Sequence, residues 1–335
     1  MNSMNRRTAL VLTAAAVLTA TAACGSGSSS PSSSSSGGSG GKSKSYNIAF
    51  IPGVAGDAFY ITMACGIKAE AQKEGATVKT QAPQKFDPTL QTPILQSVIA
   101  SKPDALLIAP TDVSAMQAPI AQAKQQGIKI VLVDTTLSDP SVAESAISSD
   151  NSGGGKAAFD AIKQLAPNGG KVLGIGVQPG VSTTDARDKG FADAAKADSK
   201  YQYLGVQYSQ NDPAKAAQEV SAALQKNPDI VGIFASNLFS AEGAATGIRQ
   251  AGKQASVKIV GFDAGPDQIK ALQDGTVQAL IAQQPGTIGT DGVQQAIKAL
   301  KGQPTEKSIK TGFMIITKNN LTSSASQAAA YKASC

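Results

Sequence analysis

From Tyr46 onward, short apolar runs alternate with longer segments of helical period, and this alternation limits the possible folds more than any other feature of the chain. The runs Asn47–Ile51, Ala105–Ala109, Lys129–Val133, Lys171–Val177, Val231–Ala235, Lys258–Phe262 and Val277–Ile281 read as strands. Between them, segments such as Asp212–Lys226 carry apolar residues on one helical stripe (Ala216, Val220, Ala223, Leu224). An Asp212-Pro213 pair opens that segment, supplying an N-cap and then a proline at the first helical position. Strands and helices in steady succession require parallel sheets joined by right-handed crossovers. About a dozen strands exceed what one open sheet carries comfortably. The predicted fold class is therefore α/β, with two doubly wound parallel-sheet lobes, and 335 residues suffice for two cores.

The N-terminus reads differently. Arg6 and Arg7, an apolar run from Ala9 to Leu18, and Thr21, Ala22 and Ala23 before Cys24 describe a secretory signal peptide over 1–23. The apolar run is too short for a membrane span of about 20 residues. A Cys directly after small residues resembles a bacterial lipobox, whose thiol is diacylated, although Thr21 stands where Leu is usual. Residues 25–41 are Gly, Ser and one Pro, with no apolar surface to bury. Residues 24–45 are thus expected to be an acylated Cys24 and a flexible tether of about 25 Å root-mean-square reach. The expected location is extracytoplasmic, lipid-anchored to the outer face of the cell membrane.

Composition removes several chemistries. The chain has no His, no Trp and three Cys, so a Ser-His-Asp triad, a Cys-His pair and a His-ligated zinc site are excluded. No metal or cofactor is expected. Of 30 Lys and Arg, two lie in the leader, leaving a mild, scattered excess over 24 Asp and Glu that gives no nucleic-acid footprint.

In open α/β sheets, ligands bind beyond the carboxyl ends of the strands. The residues at those junctions are Asp57, Phe59 and Tyr60; Asp134 and Thr135; Ser182 to Arg187; Asn237; and Asp263. Carboxylates and an amide accept and donate in the pairs that vicinal hydroxyls require, and an aromatic face packs on the C–H face of a sugar ring. The set therefore reads as a polyol site. Beyond the leader the chain has only two Arg, Arg187 and Arg249, so a guanidinium at a junction points to its planar fork of donors. An ion pair with Asp185 or Asp188 is the structural alternative. Phe59 and Tyr60 are adjacent at a helix start, where one could face core and the other cleft.

Six stretches together resemble a known family: Gly56-Asp-Ala-Phe-Tyr60, Val131-Leu-Val-Asp-Thr135, Thr184-Asp-Ala-Arg-Asp-Lys-Gly-Phe191, Phe234-Ala-Ser-Asn237, Val260-Gly-Phe-Asp263 and Leu280-Ile-Ala-Gln-Gln-Pro285. From about Tyr46 to Lys318 the chain resembles a periplasmic-binding-protein type I domain of the ribose and galactose class, the solute receptors of sugar ABC importers. The resemblance implies ligand contacts at Asp57, Phe59, Tyr60, Asp134, Arg187, Asn237, Asp263 and Gln283. It also implies a three-strand hinge with crossings near Ser149–Asn151, Gln283–Gln284 and Gly312–Phe313. The N-lobe would then combine 46–150 with 284–312, and the C-lobe 151–283 with 313–335. Ribose binders usually place Asn where Asp57 stands and Arg where Thr135 stands, so the ligand need not be ribose.

The expected function is capture of a monosaccharide or polyol by a monomeric, lipid-anchored receptor that delivers it to ABC permease subunits. The alternative is a ligand-sensing receptor, for chemotaxis or a small signal molecule, using the same closed form. Competing motifs fail. Gly174-Ile-Gly-Val-Gln-Pro-Gly180 misses the dinucleotide spacing. Asp57, Asp134 and Asp263 could form an acid–base set as in glycoside hydrolysis, but each has a binding role that demands no shifted pKa, so no catalytic residue is assigned. A repressor of this sensor fold would need a helix-turn-helix where the leader and tether stand.

Cys65 and Cys335 are the remaining thiols. In an exported chain two such Cys tend to pair, which would pin the tail across the hinge side. The alternative is that Cys65 is a small buried hydrophobe and Cys335 a frayed terminus. Ser323–Lys332 reads as a short Ala-rich helix.

Overall fold

The computed structural model describes residues 45–335. Residues 1–44, on which the expected signal peptide, Cys24 and the expected tether fall, lie outside the described residues. The chain enters with β1 (Asn47–Ile51), α1 (Ala58–Lys73), β2 (Thr77–Thr80), α2 (Pro88–Ala100), β3 (Ala105–Ile108), α3 (Gln117–Gln125), β4 (Lys129–Val133) and β5 (Ser145–Ser149). It then crosses to α4 (Asn151–Leu165), β6 (Gly170–Gly176), α5 (Ser182–Lys196), β7 (Tyr201–Tyr208), α6 (Pro213–Lys226) and β8 (Ile230–Ala235). The same lobe continues with α7 (Leu238–Gln250), β9 (Lys258–Phe262), α8 (Pro266–Gln273) and β10 (Ala279–Ala282). The chain returns with α9 (Pro285–Leu300) and β11 (Ser308–Thr311), and crosses a last time to β12 (Met314–Thr317) and α10 (Ser324–Ala329).

Two six-stranded sheets result, in the orders β11-β5-β4-β3-β1-β2 and β12-β10-β9-β8-β6-β7. Every pairing is parallel except β12 against β10. The two orders match strand for strand, so β4 and β9 hold the same place in their lobes.

Strands covered on both faces must be apolar throughout, and these are. In the first sheet, Ile48, Phe50, Leu107, Val131 and Val133 face Met63 and Ile67 of α1 and Ile288 and Val293 of α9. Ala49, Ile51, Leu106, Ile108, Ile130 and Leu132 face Leu95 and Val98 of α2 and Ile120 and Ala123 of α3. The second sheet is layered alike. Val172, Phe234, Val260, Phe262 and Ile281 face α4 and α5, and Leu173, Ile175, Ile233 and Ala235 face α6 and α7.

Helix starts are fixed locally. Asp87, Asp150 and Asp212 each cap a first-turn amide with a carboxylate oxygen, and proline follows Asp87 and Asp212. The tail helix is shorter than its sequence suggests. It spans only Ser324–Ala329, because Ala330 is extended (φ −68°, ψ 139°) and turns Tyr331 inward.

The three crossings run side by side. Ser149 Oγ donates to Gln283 Oε1 (2.7 Å) and lies 3.4 Å from Thr311 Oγ1, so one hydroxyl touches all three segments. The Asp150 N–H adds a bond to the Thr311 carbonyl (2.9 Å).

Candidate ligand-binding cleft

Both sheets aim their carboxyl ends at one cleft between the lobes. Asp57, Phe59, Tyr60, Phe86 and Asp134 line it from the first lobe. Val177, Val181, Thr183, Thr184, Arg187, Asn211, Asn237, Asp263 and Gln283 line it from the second. The space among these residues not occupied by protein, open solvent at the mouth included, is about 380 Å³. The lobes meet across the mouth, where the Val113 N–H donates to the Gly180 carbonyl (3.0 Å) and the Thr136 N–H to Ser182 Oγ (2.9 Å).

Asp134 and Asp263 each follow a central strand with positive φ, 66° and 79°. Each amide donates to the neighbouring strand, to the carbonyls of Ile147 (2.8 Å) and Ile281 (2.9 Å). Non-glycine residues held in this region cost about 1–3 kcal/mol, and such strain collects where a side chain must be aimed. Tyr60 donates its hydroxyl to Asp134 Oδ2 (2.7 Å), and Gln283 donates Nε2 to Asp263 Oδ1 (2.6 Å). Asp57 caps α1 by accepting from the Phe59 N–H (2.8 Å). Asn237 caps α7 through the Ser240 N–H (3.0 Å) and donates to Asn211 Oδ1 (2.6 Å).

Arg187 is only 2 % exposed. Its Nε donates to Asn151 Oδ1 (2.8 Å) and Nη1 to the Ser236 carbonyl (2.9 Å), rather than to Asp185 or Asp188. The guanidinium carbon lies 3.8 Å from the centroid of Phe262. Its Nη2 is buried and has no hydrogen-bond partner, although buried polar groups are nearly always paired. Phe59 and Tyr60 are both buried and both line the cavity, with their rings edge to face at 5.2 Å.

Burial dominates the electrostatics. It pushes the Asp57 carboxyl up to about 8, with the Asp263 charge adding to the rise and the Phe59 amide opposing it. Burial lifts Asp134 to about 6 against the Arg187 charge and the Tyr60 hydroxyl. Asp263 is raised by burial despite Arg187 and its hydrogen bonds from Gln283 and Tyr331. Near neutral pH the cleft therefore offers a protonated Asp57 as donor, the Asp134 carboxylate as acceptor and the unpartnered Nη2 of Arg187. That mixture suits a neutral, hydroxyl-rich molecule.

Residues 48–304 match the model of the periplasmic binding protein domain. The chain belongs to the periplasmic binding protein family. It is 32% identical over 274 residues to the ribose import binding protein RbsB of Bacillus subtilis (strain 168), covering 82% of this chain and 88% of that protein. The D-allose-binding periplasmic protein of Escherichia coli (strain K12) is 29% identical over 251 residues, 72% of this chain and 81% of the other. Among solved structures, an ABC transporter solute-binding protein from Agrobacterium vitis bound with alpha-D-tagatopyranose superposes with a TM-score of 0.84. It is 40% identical, over 86% of this chain and 99% of that one.

Within this periplasmic binding protein, eight of the nine residues anticipated as ligand contacts line one cavity. Thr135 is the exception and the expectation is corrected. Its side chain is buried and its hydroxyl donates to the Pro110 carbonyl (2.7 Å), because the left-handed turn at Asp134 sends the next residue back into the lobe. Phe86 and Asn211 were not singled out, yet they stand at the β2–α2 and β7–α6 junctions and the same strand-end rule reaches them. Tyr331 was also missed. Its hydroxyl touches Asp263 (3.0 Å), and no local pattern in the sequence points to it.

Proposed function

We propose that this protein is an extracytoplasmic solute receptor that captures a monosaccharide or related polyol between two closing lobes and delivers it to the permease of an ABC importer. One observation carries the reading: the buried Nη2 of Arg187, without a partner, in a cleft shared with the carboxyl groups of Asp57, Asp134 and Asp263 and three aromatic rings. A ligand hydroxyl or ring oxygen placed there would satisfy it. The relatives named for ribose and allose, and the tagatopyranose-bound structure, support a sugar. Asp57 and Thr135 depart from the ribose pattern, so the sugar need not be ribose. The protein binds its ligand and releases it unchanged.

In this reading the closing bodies are 46–150 with 284–312 and 151–283 with 313–335, and Asp57, Phe59, Tyr60, Asp134, Arg187, Asn237, Asp263 and Gln283 touch the sugar. Cys24 carries the lipid that holds the monomer at the membrane surface. Among the described residues no helix is long and apolar enough to cross a membrane.

A thermal-shift screen of pentoses, aldohexoses, ketohexoses and polyols tests the reading, because a ligand at 100 times its Kd stabilises by about 2.7 kcal/mol. One sugar class should raise the melting temperature and reduce the radius of gyration in solution scattering. A screen in which no sugar or polyol shifts melting, or a bound sugar that leaves scattering unchanged, would overturn it. Intact mass of the membrane-extracted protein should include acyl chains on Cys24, and their absence would refute the anchor.

A further inference from the structure

Asp134 and Asp263 occupy matching places in the two lobes, and each accepts a hydrogen bond from a tyrosine: Tyr60 at 2.7 Å and Tyr331 at 3.0 Å. The two tyrosines arrive by different routes. Tyr60 sits in α1, in the same lobe as its aspartate. Tyr331 comes from the tail beyond α10, is 6% exposed, and has its ring 5.9 Å from that of Phe59. Its hydroxyl also accepts from the Gln283 N–H (2.9 Å), and its own N–H donates to the Ala264 carbonyl (2.9 Å). The tail then changes lobes. The Lys332 N–H donates to Thr62 Oγ1 in α1 (2.7 Å), and Cys335 is disulfide-bonded to Cys65 of the same helix.

We propose that the C-terminal tail is a working part of the ligand site, with Tyr331 the positioning residue for Asp263 and Gln283 and the Cys65–Cys335 bond its fastening. The proposal rests on the sugar-receptor reading only for what is bound. Asp263 is buried in a left-handed conformation, and its Oδ1 has two side-chain donors, Gln283 Nε2 and the Tyr331 hydroxyl. Removing one leaves the carboxylate freer to turn from the cleft. A chain terminus stays ordered only where it is tied down, and here the tie is covalent. Asp263 also faces the charges of Arg187, Asp57, Asp134 and Glu242, so its protonation answers to all of them as well as to Tyr331.

The test uses the mature Cys24→Ser protein, its Tyr331→Phe variant and its Cys65→Ser/Cys335→Ser variant, with D-tagatose as the probe sugar. Tyr331→Phe keeps the ring on Phe59 and removes only the hydroxyl. Exchange of the Gln283 amide, followed by NMR, should quicken about tenfold or more, and D-tagatose should bind about 5- to 50-fold more weakly. The acid limb of its binding curve should move to higher pH, because the hydroxyl favours ionised Asp263. The double Ser variant should change in the same directions. Wild-type exchange at Gln283 in Tyr331→Phe overturns the proposal whatever the sugar does. Faster exchange with unaltered D-tagatose affinity and pH profile also overturns it. Faster exchange in both variants, with D-tagatose failing to bind even the parent protein, upholds the positioning and counts against the choice of sugar alone.

Discussion

Gly155 of α4 lies against the carbonyl oxygen of Arg187 in α5, closer than any residue with a side chain could approach. Gly190 of α5 meets the Ser152 carbonyl in the same way. The pair lets the two helices touch backbone to backbone, on the helix that carries Arg187. In Gly155→Ala the new methyl would strike that carbonyl. We expect about 1–3 kcal/mol of destabilisation from overpacking and weaker sugar binding as α5 shifts. Denaturant melts and calorimetry check both, and wild-type affinity in the variant would separate helix packing from the site.

Arg187→Ala should weaken sugar binding roughly 30- to 1,000-fold, about 2–4 kcal/mol, because it removes charged donors from buried acceptors. Arg187→Lys should recover little, since one ammonium cannot replace the fork. Lys189→Ala is the control, exposed two residues away on α5 and paired with Asp193. Titration calorimetry decides, and equal affinities for Arg187→Ala and Lys189→Ala would remove Arg187 from the site.

Asp57 gives the ligand-free protein a pH dependence. Its carboxyl is raised from 3.8 to about 8, so the folded chain holds a proton that the unfolded chain has released. Stability tied to this group is present at acid pH and is lost as pH climbs through about 4 to 8. Asp134, raised to about 6, adds to the same slope. Asp57→Asn keeps a capping side chain and should flatten the fall in melting temperature between pH 5 and pH 8. An equally steep fall in the variant would show that Asp57 does not carry the proton.

The disulfide spans 270 residues in sequence. Closing so long a loop nominally stabilises by about 5 kcal/mol, and about 2–4 kcal/mol is the usual yield. Unreduced, unfolded Cys24→Ser protein should show no reactive thiol, and the Cys65→Ser/Cys335→Ser variant should lose stability on that scale. Two reactive thiols per chain would refute the bond.

What the sequence disclosed follows burial. The central strands β1, β3, β4, β8 and β9 are apolar on both faces and stand out as runs. The edge strands β2 (TVKT) and β11 (SIKT) are largely exposed and have no such run to display. β5 (SAISS) is interior, but its buried Ser145 and Ser149 hide it. The junction rule found Asp57, Asp134, Arg187 and Asp263 because topology alone puts strand ends at the cleft. It could not foresee that the backbone at Asp134 would turn Thr135 away. Gln283 came only through resemblance, and Tyr331 depends on where a tail folds back.

The interleaving of the lobes bears on how the molecule assembles. In the second sheet, β6 to β10 are contiguous in sequence. The first sheet takes β11 beside β5, and the facing residues Ser149 and Thr311 are 162 positions apart. Its α1 layer is likewise completed by α9. Loop-closure entropy makes such distant pairings late and slow. The half of the protein synthesised first thus keeps its inner apolar layer open until the returning α9–β11 segment docks. Kinetic traps and aggregation during refolding should originate there.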